Sequence, residues 1–147
     1  MKAVLQRVLW ARVIVTGRCV GNIDKGMVIL LGVRQGDRVS DVAPFAEKIA
    51  NLRIFSDAEG KMNRSLVDVE GEALVVSQFT LYGDCRKGRR PGFSAAAGSA
   101  SAEPVYRQFV ERMQDLGVSV ATGIFAADMQ VELANDGPVT LIVDSDS

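Results

Sequence analysis

The chain has 147 residues, 48% of them hydrophobic, and a net charge of −1 from 17 basic and 18 acidic side chains, which fits one compact domain burying about two-thirds of its unfolded surface. A pI near 5.5 argues against a protein that coats nucleic acid through bulk charge, while leaving room for a local basic patch. The chain contains no histidine, which excludes Ser-His-Asp and Cys-His nucleophile systems, His-ligated zinc and an imidazole base near neutral pH.

Any catalysis must therefore use carboxylates, lysine, cysteine, backbone groups or the substrate's own hydroxyls. Cys19 and Cys85 lack C-x-x-C spacing and are too few for a disulfide scaffold, so reduced thiols in a reducing compartment are expected. No charged segment followed by an apolar core opens the sequence, and no run approaches about 20 apolar residues. The expectation is a soluble, cytoplasmic protein without a membrane partner.

Residues 2–16 alternate well enough for two consecutive strands, with Val4, Val8 and Trp10 on one parity and Leu5 and Leu9 on the other. Arg7 is the odd member of this segment. It is either a surface arginine or a guanidinium reaching a backbone carbonyl or carboxylate from within a strand. Residues 16–18 and 20–22 read as turns. The continuous apolar run 26–33, bounded by Gly26 and Gly32, predicts a strand buried on both faces at the centre of the sheet.

Ser40 then caps a predicted helix whose apolar residues Val42, Phe45, Ala46, Ile49 and Leu52 share one face, with Pro44 in or just beyond its first turn. Residues 53–55 read as a short strand and 56–65 as a polar loop. Asp57 and Glu59 lack the remaining oxygen ligands and terminal glutamate of a calcium loop, so they are assigned to turn chemistry and no metal site is expected. Val67 and Val69, a Glu70-Gly71 turn and the apolar run 73–81 predict a hairpin.

Residues 82–98 form a long connection carrying Arg86-Lys87-Gly88-Arg89-Arg90 and then Pro91-Gly92-Phe93. Four cations beside an aromatic and flexible glycines suit phosphate contact as well as they suit a solvated loop. A second helix follows, capped at Ser101, striped by Tyr106, Phe109, Val110, Met113 and Leu116, and stopped at Gly117. Strand-like 118–121 leads through residues 125–129 to a strand ending at Asn135. Asp136-Gly137 lies between Met129, Val131 and Leu133 on one side and Val139, Leu141 and Val143 on the other, which predicts a hairpin turn. Pro138 complicates it, because a missing donor confines proline to an edge, a bulge or a special bend. At least six strands and two main helices in this order indicate an α+β domain, 1–147, with a largely antiparallel sheet or barrel.

With Ser77-Gln78-Phe79-Thr80-Leu81 and Asn135-Asp136-Gly137-Pro138-Val139-Thr140 both in view, the chain resembles the D-aminoacyl-tRNA deacylases over nearly its whole length. Leu5-Gln6-Arg7-Val8, residues 53–57, residues 60–63, Arg90-Pro91 with Phe93-Ser94, and residues 123–131 support the resemblance. One departure is Gly92, where the family commonly has serine; it touches only a loop contact.

The resemblance implies a homodimer that hydrolyses the ester of D-aminoacyl-tRNA, and by the same stereochemistry glycyl-tRNA. Gly137 and Pro138, joined by a cis bond, would enter the partner subunit's site beside Ser77, Gln78 and Phe79, and their carbonyls would exclude L-aminoacyl groups. Arg7 would orient that loop. The terminal adenosine would lie near Phe79 and the stretch holding Phe125, Ala126 and Met129; the resemblance assigns no role to Arg86, Lys87, Arg89 or Arg90, for which contact with acceptor-stem phosphates is a hypothesis from charge alone. Chemistry assisted by the terminal ribose would need no cofactor and no histidine. Backbone amides near Phe79, or the Gln78 side chain, would hold the ester carbonyl, a donor worth about 100-fold in rate. Thr80 has no activating base in view, so a packing or hydrogen-bonding role is expected over a nucleophilic one. The alternatives are the related trans-proline group that removes L-amino acids, and a nucleic-acid-binding module without turnover.

Overall fold

The fold was examined in a computed structural model, which describes residues 1–146. Its central element is β1 (Lys2–Val15), a single strand of 14 residues rather than the two expected. β1 pairs antiparallel with β8 (Gln130–Asp144) along one edge; along the other it pairs with β3 (Gly26–Gly32) through Val8 and with β2 (Arg18–Ile23) from Ala11 onward. The change of neighbour coincides with an irregularity between Val8 and Trp10. Parity flips there, so Val8 and Ala11 both point into the interior while Leu9 and Trp10 both remain exposed.

β3 is buried on both faces, as its unbroken apolar run predicts. It pairs in parallel with β6 (Glu72–Ser77), which pairs in parallel with β7 (Ser119–Thr122). The hairpin predicted before β6 is absent: residues 66–70 form turns, and β6 enters beside β3 after a crossover through α1 (Val42–Asn51) and the short ribbon β4 (Phe55–Ser56) and β5 (Met62–Arg64). Of the turns expected at 16–18 and 20–22, residues 16–17 do turn, but Arg18 and residues 20–22 belong to β2, whose Gly21 lies so close to β7 that a Cβ there would sit 2.3 Å from the Thr122 carbonyl oxygen. That close approach brings β2 and β7 together and nearly closes a barrel.

Strand alternation divides the interior in two. Val8, Ala11, Val13, Ile23, Val28, Leu74 and Val76 fill the barrel, while Leu5, Met27, Ile29, Leu31, Ala73 and Val75 meet α1 and α2 (Ser99–Asp115) on the outer face. The predicted stripes hold: Val42, Phe45, Ala46 and Ile49 of α1 and Tyr106, Phe109 and Met113 of α2 are buried. α1 begins after a 3-10 turn in which Asp41 accepts from the Arg38 amide, so Ser40 is not its cap. α2 starts at Ser99, two residues before the predicted cap, and Gly117 ends it at φ +90°. Tyr106 donates to the Val75 carbonyl at 2.9 Å, anchoring α2 to β6; burial raises its phenol to about 12, so it remains a neutral donor. No helix among the described residues is long and apolar enough to cross a membrane.

Candidate active site

The sheet opens at the end of β6 into a cleft of about 550 Å³. Ser77, Gln78 and Phe79 line one wall, and Phe125, Ala126 and Met129 line the other. These six residues, some 50 positions apart in sequence, are brought together because β6 and the chain leaving β7 run side by side. The uncapped start of α2, Gly98 and Ser99, forms a third side. A somewhat larger groove of about 600 Å³, lined by Arg34, Asp37, Asp41, Lys48 and Asp146 among others, contains none of the predicted site residues.

The strand expected to run through Leu81 ends at Ser77. Gln78 leaves the strand conformation at φ −141°, ψ 81°, and Phe79–Tyr82 form a 3-10 turn at the cleft wall. The Gln78 amide is taken by the Leu31 carbonyl at 2.8 Å. Phe79 and Thr80 open the turn, where an amide has no carbonyl one turn earlier in the same helix to bond. Their N–H groups therefore stand at a helix start beside the cleft. Thr80 itself is exposed and does not line the cleft; its hydroxyl accepts from the Gln78 side-chain amide. Ala126 adopts φ +64°, turning the opposite wall sharply between Phe125 and Met129.

The Asp136-Gly137-Pro138 segment is not a hairpin. Gln6 pairs with Thr140 and Val8 with Asn135, so both halves of β8 follow the same strand and residues 136–139 bulge out opposite Arg7 alone. A hairpin would fold the chain back on itself; here Pro138 needs no ladder donor because it stands in the bulge. The base is braced by Asn135, whose side chain accepts from the Val139 amide at 2.7 Å and donates to Thr140 Oγ1 at 2.9 Å. Arg7 supplies the other support. It is largely buried, donating through Nε to the Asp136 carbonyl at 2.9 Å and through Nη1 to the Ile54 carbonyl at 2.7 Å. The Gly137–Pro138 bond is cis, and Gly137 has φ +136°. Both residues are exposed, and neither lines the cleft that holds Gln78 and Phe79.

The family model described as D-Tyr-tRNA(Tyr) deacylase matches residues 4–144. The chain belongs to this deacylase family. Proteins named D-aminoacyl-tRNA deacylase from Fervidobacterium nodosum and Clostridioides difficile are 59% and 58% identical to it, each over 99% of this chain and 97% of the relative. Among solved structures, one described as a c-Myc DNA unwinding element binding protein has a TM-score of 0.91 and 39% identity, covering 98% of both chains. A second, described as a probable eukaryotic D-amino acid tRNA deacylase, has a TM-score of 0.81 at 17% identity over 97% of both chains, which establishes a shared fold.

Two features of this deacylase-family cleft were not singled out in the sequence. Asp128 is the one ionisable side chain among the described residues lining the cleft, giving an otherwise neutral wall a local negative potential. Its place between two predicted residues, Ala126 and Met129, was the available signal. The second is a contact at its rim: Phe93, read in the sequence only as the aromatic beside the basic loop, packs edge to face on Phe79 with ring centroids 5.2 Å apart and an interplanar angle of 71°. Among the described residues no cluster of three or more acidic, cysteine or histidine side chains is arranged to hold a metal ion.

Proposed function

We propose that this chain, an enzyme of the aminoacyl-tRNA deacylase family, hydrolyses the ester of D-aminoacyl-tRNA and of glycyl-tRNA in a homodimer whose subunits complete each other's sites. The observation that carries this reading is the separation of the two motifs: Gly137 and Pro138 project from the β8 bulge, and the Gln78–Phe79 cleft of the same chain does not include them. A second copy would bring them together. Exposed apolar side chains flank the bulge, Leu9, Trp10, Leu141 and Ile142 being between 37% and 72% exposed on the paired strands β1 and β8, and a subunit interface is built from such surface.

In this reading the terminal adenosine occupies the cleft between Phe79 and residues 125–129, and the acceptor stem approaches the basic loop. The backbone amide at Phe79, or the Gln78 side chain, holds the ester carbonyl as negative charge develops on its oxygen. The terminal ribose hydroxyl, already beside the ester, orients or assists the attacking water, which is the role a histidine base would fill elsewhere. The partner's Gly-Pro carbonyls occupy the space an L side chain needs. A filter made of backbone is indifferent to which side chain a D-residue carries, and glycine has none to exclude.

The test is deacylation of D- and L-tyrosyl-tRNA by the purified protein. Hydrolysis of the D-ester with sparing of the L-ester is expected. Rapid hydrolysis of the L-ester would transfer the chain to the trans-proline editing group. Binding of tRNA without turnover of either ester would favour a nucleic-acid-binding module, the reading suggested by the DNA-binding description of one solved relative.

A further inference from the structure

Two large aromatic rings stand in solvent beside the cleft: Phe79 is 54% exposed and Phe93 is 38% exposed. Phe79 belongs to the cleft wall. Phe93 lies just outside it, and its neighbours Gly92 and Ser94 line a separate groove shared with Asp84, Arg86, Lys87 and Arg90. The pair therefore stands between the cleft and a basic groove. The loop that makes this groove is closed at its base by two backbone bonds, Asp84 N–H to the Gly92 carbonyl at 2.7 Å and Gly92 N–H to the Asp84 carbonyl at 2.9 Å. Phe93 is seated against Gly83, where a Cβ would come within 3.1 Å of the ring. Ring and groove are thus held in fixed relation by backbone.

The four cations of the loop are not equivalent. Asp84 receives Arg86 through Nε at 2.9 Å, Nη2 at 2.7 Å and the backbone amide at 3.0 Å, and the Arg86 guanidinium holds the Asp84 carboxyl down at about 2. Arg86 is spent on bracing the loop. Lys87 and Arg90 line the groove and make no ion pair among the described residues, so they supply its net positive charge. An exposed aromatic near two uncommitted cations is the arrangement that binds single-stranded nucleic acid, the ring taking a base face and the cations a phosphate.

We propose that Phe93 with Lys87 and Arg90 forms a second nucleotide subsite, which receives the unpaired 3′ strand of tRNA immediately before the terminal nucleoside. A base stacks on Phe93 and the adjoining phosphate enters the groove. This rests on reading the Phe79 cleft as the terminal-nucleoside site. It assigns selection for a polynucleotide over a simple aminoacyl nucleoside to residues outside that cleft.

The test measures binding of adenosine and of a tetraribonucleotide with the sequence of a tRNA 3′ end to wild type, Phe93→Leu and the double variant Lys87→Gln/Arg90→Gln. In parallel, D-tyrosyl-tRNA turnover is followed in wild type. Stacking of one base is worth about 10-fold in affinity, so Phe93→Leu is expected to weaken the tetranucleotide by that factor and to leave adenosine at the wild-type value. The double variant is expected to weaken the tetranucleotide and flatten its salt dependence. Equal loss for both ligands in Phe93→Leu would mean that Phe93 only props Phe79, and wild-type tetranucleotide affinity in both variants would also overturn the subsite. Wild type that binds the tetranucleotide in this pattern yet spares D-tyrosyl-tRNA would instead sink the hydrolytic reading and leave the subsite standing.

Discussion

Arg7 donates to the Asp136 carbonyl at 2.9 Å while its other arm reaches the Ile54 carbonyl at 2.7 Å. One side chain in the middle of β1 thus ties the bulge of β8 to the segment following α1. Arg7→Lys can keep at most one of these bonds, because an ammonium lacks the planar fork. A charge-assisted bond in a largely buried setting contributes about 1.5–3 kcal/mol. Denaturant unfolding should show a loss of about 2 kcal/mol, and D-tyrosyl-tRNA turnover should fall further than stability alone explains. Wild-type turnover in Arg7→Lys would separate the loop's orientation from its activity.

Gly137→Ala should impair D-aminoacyl-tRNA hydrolysis by roughly 100-fold or more. The added Cβ would lie 2.9 Å from Val139 Cγ2, 3.0 Å from the Val139 nitrogen and 3.1 Å from Arg7 Nη2, at a backbone φ of +136° that L-residues rarely adopt. The bulge would have to change shape, at a cost on the order of 1–3 kcal/mol. Single-turnover assays with D- and L-esters check this. Undiminished D-specific turnover would remove Gly137 from the chiral filter.

Gln78 and Thr80 should respond differently. Gln78 lines the cleft, whereas Thr80 lies outside it and is joined to Gln78 by a hydrogen bond. Thr80→Ala frees the Gln78 amide without removing a cleft residue, so turnover should stay within about 10-fold of wild type. Gln78→Ala should cost about 100-fold if its amide holds the carbonyl. Complete loss in a folded Thr80→Ala would restore a chemical role to the threonine.

With no histidine in the chain, kcat/KM should show no enzyme-derived inflection between about pH 5.5 and 7.5, and the titration of the substrate's own α-ammonium should account for the profile. At low pH the basic loop titrates through Asp84, held at about 2 by Arg86. Because that value is depressed below the ordinary 3.8, the pair's contribution is complete above the unfolded value and is lost as pH falls through about 2. An NMR titration of the Asp84 carboxyl should therefore find it ionised at pH 3. A midpoint near 4 would contradict the braced loop.

Ile142→Glu should produce a monomer. Ile142 is 72% exposed beside Leu141 on β8, opposite Val4 and Leu5 of β1, so a charge there disturbs no core contact yet would be desolvated in an interface. Sedimentation velocity should show dissociation together with lost turnover. A monomer retaining full D-specific activity would refute the shared site.

Local pattern determined a good part of this protein. The period of 3.6 placed α1 and α2 and their buried faces, the unbroken run at 26–33 marked the strand buried on both sides, and Gly117 ended α2, because each depends on neighbours within a few positions. The missing histidine and the two motifs also needed no structure to be seen. Partnership was decided elsewhere. Alternation at 129–143 reads the same whether the two halves face each other in a hairpin or lie end to end along β1, and only the β1 ladder distinguishes them. The 66–70 turns, the parallel entry of β6 and the stop at Ser77 likewise follow from what β3 and β7 offer as neighbours. Phe93 beside Phe79 and Arg7 between Ile54 and Asp136 are consequences of that same sheet. A side chain's type is written in the chain, but the carbonyl or ring it meets is set by which strands share hydrogen bonds.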